Sequence, residues 1–220
     1  AVGWRWAIAI ITVLPVTAGI TLMRSLPKED APARSGRGGL RALRALLRNP
    51  VLLSASFTGA GGFFAFIAVY TYAGYRLEGD PFHMSPTGVG LVFLLWLLGG
   101  LGPWMGNLAQ RHGWRKVATG AMALGVAGIV LTLTHVLVLV IVGLGIVIFT
   151  AFTVQTAASV GQGTSTRTDK GMASAVYFTV YYFAGSVAGY LPGLAWERWG
   201  WTGVTSFAFG SYAFGLVATV

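Results

Sequence analysis

The chain has 220 residues, 55% of them hydrophobic and 10% charged, with 15 Lys and Arg against 6 Asp and Glu for a net charge of +9. Mean hydropathy is +0.70 and there is no cysteine. This excludes a disulfide framework, a thiol nucleophile and a Cys metal site. It also excludes a nucleic-acid partner, because the cations have no soluble basic domain to sit on.

Seven stretches contain no Asp, Glu, Lys or Arg: 6–23, 51–75, 84–105, 117–134, 136–158, 172–195 and 201–220. Each can cross a ~30 Å hydrocarbon core at about 1.5 Å per helical residue. In lipid the backbone must satisfy its own hydrogen bonds, so the stretches are predicted to be helices. The expected fold is an all-α polytopic membrane protein with about seven transmembrane helices.

The first span, in 1–23, is not a signal peptide. It lacks a basic start followed by a small-residue cleavage site, and six further spans come after it. The chain opens Ala1-Val2-Gly3 and stops inside an apolar run at Val220. We therefore expect 1–23 to be the last helix of a missing N-terminal half.

Residues 24–49 form a basic linker. Pro27, Pro32, Gly36, Gly38 and Gly39 loosen its first part. Arg41, Arg44 and Arg48 then share a face beside Leu40, Leu43 and Leu47, as in a short amphipathic helix on the inner membrane surface or a solvated connection. Residues 50–220 hold the remaining six spans.

The loops orient the chain. If the first span ends inside, the inner side carries 12 cations, among them Arg111, Arg115, Lys116, Arg167 and Lys170; the outer side carries only Arg5, Arg76 and Arg198. That bias places 24–49, 106–116 and 159–171 in the cytoplasm of a multi-pass protein of the plasma (inner) membrane.

An internal repeat stands at an offset of 87 residues. Gly102, Gly106, Arg111, Gly113, Trp114 and Val117 recur as Gly189, Gly193, Arg198, Gly200, Trp201 and Val204. Three spans separate the copies, and an odd number reverses the direction of crossing. This is the trace an inverted three-helix repeat leaves.

The loop Gly106-Asn107-Leu108-Ala109-Gln110-Arg111-His112-Gly113-Trp114-Arg115-Lys116 resembles the cytoplasmic loop of the major facilitator superfamily, G-x3-D-R-x-G-R-R/K. Gly106, Arg111, Gly113, Arg115 and Lys116 match, Gln110 replaces the acidic residue, and Trp114 is an extra bulky residue. The run Tyr177 to Ser186 is similar to the eleventh helix of bacterial drug- and sugar-efflux members. The resemblance covers essentially the whole chain and implies a stretch from the sixth helix to the twelfth. Six of the spans would form one half of the fold, built from inverted three-helix repeats.

That fold implies a midplane cavity walled by the seventh, eighth, tenth and eleventh helices. Gln155 is the only amide side chain inside a span, and facing lipid would strand its hydrogen-bonding sites. It lines the cavity or bonds a neighbouring helix. Tyr177 and Tyr181 share a face at i, i+4, with Tyr182 adjacent at mid-depth, and offer ring faces and hydroxyls to amphipathic or cationic ligands. Tyr70 is a further lining candidate, whereas Phe63, Phe64 and Phe66 are expected to pack. Tyr190, Trp196, Trp199 and Trp201 are expected at the interface. Gly102 and Gly106, and Gly185, Gly189 and Gly193, present smooth stripes for another backbone. Gly106, Arg111, Gly113, Arg115 and Lys116 are the candidate gating loop, the alternative being that its charges only orient the chain.

No span contains Asp, Glu or His, and no cluster has metal-ligand spacing, so we expect neither a metal nor a cofactor. A proton-binding carboxylate would belong to the missing half. The resemblance implies a secondary transporter moving small molecules by alternating access, through proton-coupled efflux of amphipathic compounds or sugars. A non-transporting receptor or scaffold, and an integral membrane enzyme, remain the other classes.

Overall fold

The computed structural model describes residues 4–25 and 39–219, which divide into two compact units at Gly39–Leu40. The first contains α1 (Trp4–Ser25), with Pro15 inside it. Its Thr12, Thr21 and Ser25 hydroxyls donate to carbonyls four residues earlier, so these hydroxyls are satisfied within the helix. Gly3 and the Pro- and Gly-rich part of the linker, 26–38, lie outside the described residues.

The second unit comprises α2 (Gly39–Leu46, from Leu40), α3 (Pro50–Glu78), α4 (Pro86–Val92), a 3₁₀ segment (Phe93–Leu101), α5 (Gly102–His112), α6 (Trp114–Thr132), α7 (Leu137–Thr164) and α8 (Lys170–Thr219). Local chemistry sets the ends. The Asn49 Oδ1 accepts from the Val51 and Leu52 N–H groups, and Pro50 takes the first helical position, where no N–H is needed. Ser85 and Pro86 repeat the device at α4. α4, the 3₁₀ segment and α5 follow without interruption as Pro86–His112. α8 breaks at Gly200 (φ 57°, ψ −139°) into arms 170–199 and 201–219.

Helices 50–78, 86–112, 114–132 and 137–164 are long and apolar enough to cross a membrane. The arms of α8 coincide with the charge-free stretches 172–195 and 201–220, and their Tyr, Gly, Ser and Thr make them less apolar. No strand occurs among the described residues. The chain is an all-α polytopic membrane protein.

The repeat is visible in the helix ends. α3 and α7 begin at 50 and 137, α5 and the first arm of α8 end at 112 and 199, and α6 spans 114–132 where the second arm spans 201–219. Each pair is 87 positions apart. Gly113 (φ 88°) and Gly200 (φ 57°), equivalent at this offset, are the two glycines with positive φ among the described residues.

Equivalent helices run in opposite directions. Asn49 Nδ2 donates to the Ser165 carbonyl (2.8 Å), Tyr70 to Leu144 (2.9 Å) and Arg76 to Thr134 (3.3 Å), so α3 is antiparallel to α7. Trp201 Nε1 donates to Thr132 Oγ1 (3.1 Å) while Tyr212 lies against Gly125, so the second arm of α8 is antiparallel to α6. Trp201 is therefore buried, not an interface residue, because its N–H finds a partner inside.

Lipid is as apolar as Leu, so helix association rests on close packing. Backbones come close at two glycine pairs. A Cβ on Gly61 would stand 2.9 Å from Gly215 Cα, and one on Gly143 would stand 2.6 Å from the Gly128 carbonyl oxygen. Gly128 and Gly215 are equivalent, so the third helix of each repeat meets the first helix of the other at a glycine.

Candidate functional site

α3, α7 and the first arm of α8 converge with the 3₁₀ segment around a cavity of about 260 Å³. Phe63, Phe66 and Ile67 come from α3, Trp96 from the 3₁₀ segment, Ala151, Phe152 and Gln155 from α7, and Tyr181 and Tyr182 from α8. The aromatic faces are well ordered against each other. Phe63 stacks on Tyr181 at 4.0 Å and meets Tyr182 edge-on at 5.9 Å. Phe66 touches Trp96 at 5.3 Å and Phe152 at 6.3 Å.

Of the five residues singled out for binding, the structure brings three to this cavity: Gln155, Tyr181 and Tyr182. Gln155 is half-buried, and its side-chain amide makes no hydrogen bond among the described residues. The Tyr181 and Tyr182 hydroxyls likewise have none. An amide and two phenols thus stand without internal partners in an aromatic chamber.

The other two are set behind it. Tyr70 is buried, donates its hydroxyl to the Leu144 carbonyl, and backs Phe66 (5.1 Å) and Trp96 (6.1 Å) as part of the wall. Tyr177 is fully buried, its hydroxyl 3.5 Å from the Gln155 carbonyl and against Gly59. Phe63 and Phe66, expected only to pack, line the space. Trp96 was missed. It is a Trp at mid-span while others cluster at span ends, and that position was the available signal.

A second, more polar pocket lies along α5 and α7, lined by Gly106, Asn107, Gln110, Thr156 and Ser159. In the loop that follows, Gly113 supplies the turn, and the Arg115 guanidinium sits 5.4 Å from the Trp114 ring centre. Trp114 presses its indole on Gly161, where a Cβ would stand 2.6 Å from the ring. The bulky residue is a plate joining the loop to the end of α7. Arg111, Arg115 and Lys116 are exposed and have no carboxylate partner among the described residues, where the one ion pair is His83–Asp80.

The glycine stripes differ from expectation. Gly185 receives the Phe63 ring and Gly193 the Tyr72 hydroxyl, so the stripe beds aromatic side chains of α3, not another backbone. Gly102 and Gly189 have open space where a side chain would begin, though the Gly189 carbonyl accepts from Tyr72 (3.1 Å). Gly106 faces Thr156.

No family model matches the chain, and no solved structure matches it. It is 27% identical, over 99% of its length, to an uncharacterized transporter of Buchnera aphidicola subsp. Baizongia pistaciae, covering 55% of that protein. It is 26% identical over 91% of its length to the uncharacterized MFS-type transporter YybF of Bacillus subtilis, covering 51%. With the inner membrane transport protein YnfM of Escherichia coli it shares 29% identity over 93% of its length, covering 50%. The chain spans about half the length of the curated relatives it matches. Kinship with membrane transporters, one of them of the major facilitator type, agrees with the resemblance carried by the loop 106–116.

Proposed function

We propose that this chain, a relative of bacterial transporters that include a major-facilitator member, is the C-terminal portion of a secondary transporter working by alternating access. The observation that carries the reading is the unpaired trio Gln155, Tyr181 and Tyr182 in an aromatic cavity walled by two oppositely directed repeats. Unpartnered polar groups at membrane depth are costly and are kept where a ligand or water meets them. Inverted repeats supply the two-sided framework that exposes one cavity to either face in turn.

The lining selects chemistry. Ring faces take up apolar surface, and the amide and phenols orient a ligand by a few hydrogen bonds. No fixed charge stands in the cavity, so neutral amphipathic molecules fit, as do cations over ring faces. Efflux rests on the similarity of Tyr177 to Ser186 to efflux members. Proton coupling calls for an Asp, Glu or His at membrane depth, and the spans of this chain carry none of the three. We assign that group to the part of the protein beyond this chain, consistent with relatives about twice as long. The charge bias supports a cytoplasmic position for 24–49, 106–116 and 159–171, with the loop 106–116 as the gate on that side.

The test is dye efflux from energised cells expressing the complete reading frame. Uncharged and cationic dyes should leave the cells, and a protonophore should stop them. Gln155→Leu should raise KM about 3- to 10-fold, the loss of one or two uncharged hydrogen bonds, with membrane insertion unchanged. Unchanged transport in that variant would remove the cavity from the pathway. No movement of any dye would sink the drug-efflux reading and turn the search to sugars.

A further inference from the structure

We propose that α2 is a docking element for anionic phospholipid headgroups, clipped to the end of the second unit by its leucines and presenting its arginines to the membrane surface. Leu46 is 5% exposed and, with Leu43 alongside, packs into a cluster containing Leu52, Ala173, Tyr177 and Tyr181. The winding continues past the helix, as the Leu47, Arg48 and Asn49 N–H groups donate to the Leu43, Ala45 and Leu46 carbonyls. Asn49 then caps α3 and ties the junction to Ser165. The segment is held, not tethered loosely.

What it presents is basic and apolar together. Arg41, Arg44 and Arg48 are exposed on one face and have no partner among the described residues. Leu40 is 85% exposed and Leu47, one heptad on, 50%. Arg167 and Lys170, exposed beside Ser165, extend the same basic end. The surplus does not depend on the residues outside the description. Positions 24–49 hold seven cations and two carboxylates, Glu29 and Asp30, which cannot neutralise them.

The surface fits phospholipid. α3, long and apolar enough to cross a membrane, begins two residues after Arg48, and Arg44 and Arg41 follow one and two turns further back along α2. A guanidinium matches a phosphate oxygen pair, and Leu40 and Leu47 can enter the interface beside it. Each Arg near an anionic surface gives about a fivefold bias toward it. The inference rests on the membrane-spanning fold and not on what is transported. Since Leu46 shares a cluster with Tyr177 and Tyr181, a docked α2 also braces the helix that lines the cavity.

The test places a single cysteine at Leu40 in the complete protein, cysteines outside this chain being replaced by serine. Labelling by an uncharged, water-soluble maleimide is timed in vesicles of phosphatidylcholine alone and with one third phosphatidylglycerol. Labelling should slow at least about tenfold in the anionic vesicles and recover at high salt. Arg41→Gln with Arg44→Gln and Arg48→Gln should abolish the slowing, while the three Lys replacements keep it. Inorganic phosphate added to neutral vesicles should leave labelling fast. Equal rates in the two vesicles, or slowing that survives the three Gln replacements, would overturn the proposal.

Discussion

Gly125 and Tyr212 are equivalent positions of the two repeats, and they touch. The Tyr212 hydroxyl lies 2.6 Å from where a Gly125 Cβ would be, and it points to Thr150 Oγ1 at 3.4 Å. One copy of the position had to lose its side chain for the other to fill the space between α6 and the second arm of α8. Gly125→Ala should cost about 1–3 kcal/mol, since the Tyr212 ring is fully buried and has nowhere to retreat. Gly120, with open space around it, should gain about 0.5–1 kcal/mol from the same change. Thermal unfolding of the purified protein in detergent reads both; two shifts of the same sign would sink the argument.

The turns that separate the second and third helix of each repeat make a matched prediction. Gly113 sits at φ 88°, ψ 129° and Gly200 at φ 57°, ψ −139°. Neither ψ is near the left-handed helical value, so Asn, which tolerates that region, gives no relief. Replacing either glycine by Ala or by Asn should cost about 1–3 kcal/mol alike. A clear advantage for Asn in the unfolding midpoint would show that the turns are not held in this extended positive-φ region.

How much could be read in advance follows from what each signal depends on. Span positions were legible because a charge inside lipid is costly, and the turn glycines because Gly113 and Gly200 recur with their Trp and Arg neighbours. Gln155 was legible as the one amide inside a span, and Tyr181 and Tyr182 as tyrosines away from the span ends. The pairs Gly61–Gly215 and Trp114–Gly161 were not. In a helix that is apolar all round, no periodicity marks the face that meets protein. For the same reason Phe63 and Phe66 could not be told from packing residues, and the 3₁₀ segment left no trace in an unbroken run of Leu, Trp and Gly.

The contact of Trp114 with Gly161 gives the loop 106–116 an anchor that can be cut. Gly161→Val should push the indole off α7 and free the loop, whereas Gly163→Val enters open space and should not. A cysteine at His112 should then label several-fold faster in the first variant only. Equal labelling in both would mean that the loop is held by something other than Trp114, and that Arg111, Arg115 and Lys116 act without it.

The 3₁₀ segment Phe93–Leu101 carries Trp96 into the cavity wall. Nine residues are far beyond the usual three or four for this geometry, and none of them is fully buried, although Leu95 and Leu98 pack against the core. Rewinding it to α-helix would shorten the span by about 4.5 Å and rotate one end against the other by roughly 180°. Trp96 would swing with it, closing or opening the cavity between Phe66 and Phe152. Two neighbouring glycines separate the possibilities. Gly100 has open space, and Ala there favours α-helix by about 0.8–1 kcal/mol without a clash. Gly99 lies on the Phe152 ring, where a Cβ would come within 2.8 Å, so Ala there should disturb the present packing itself. A cysteine at Leu97, 77% exposed here, reports the rotation. Gly100→Ala should change its labelling while preserving the unfolding midpoint, and Gly99→Ala should lower that midpoint. Identical labelling in the parent and in Gly100→Ala would mean that the segment does not rewind, leaving rigid-body movement of the repeats to open the cavity.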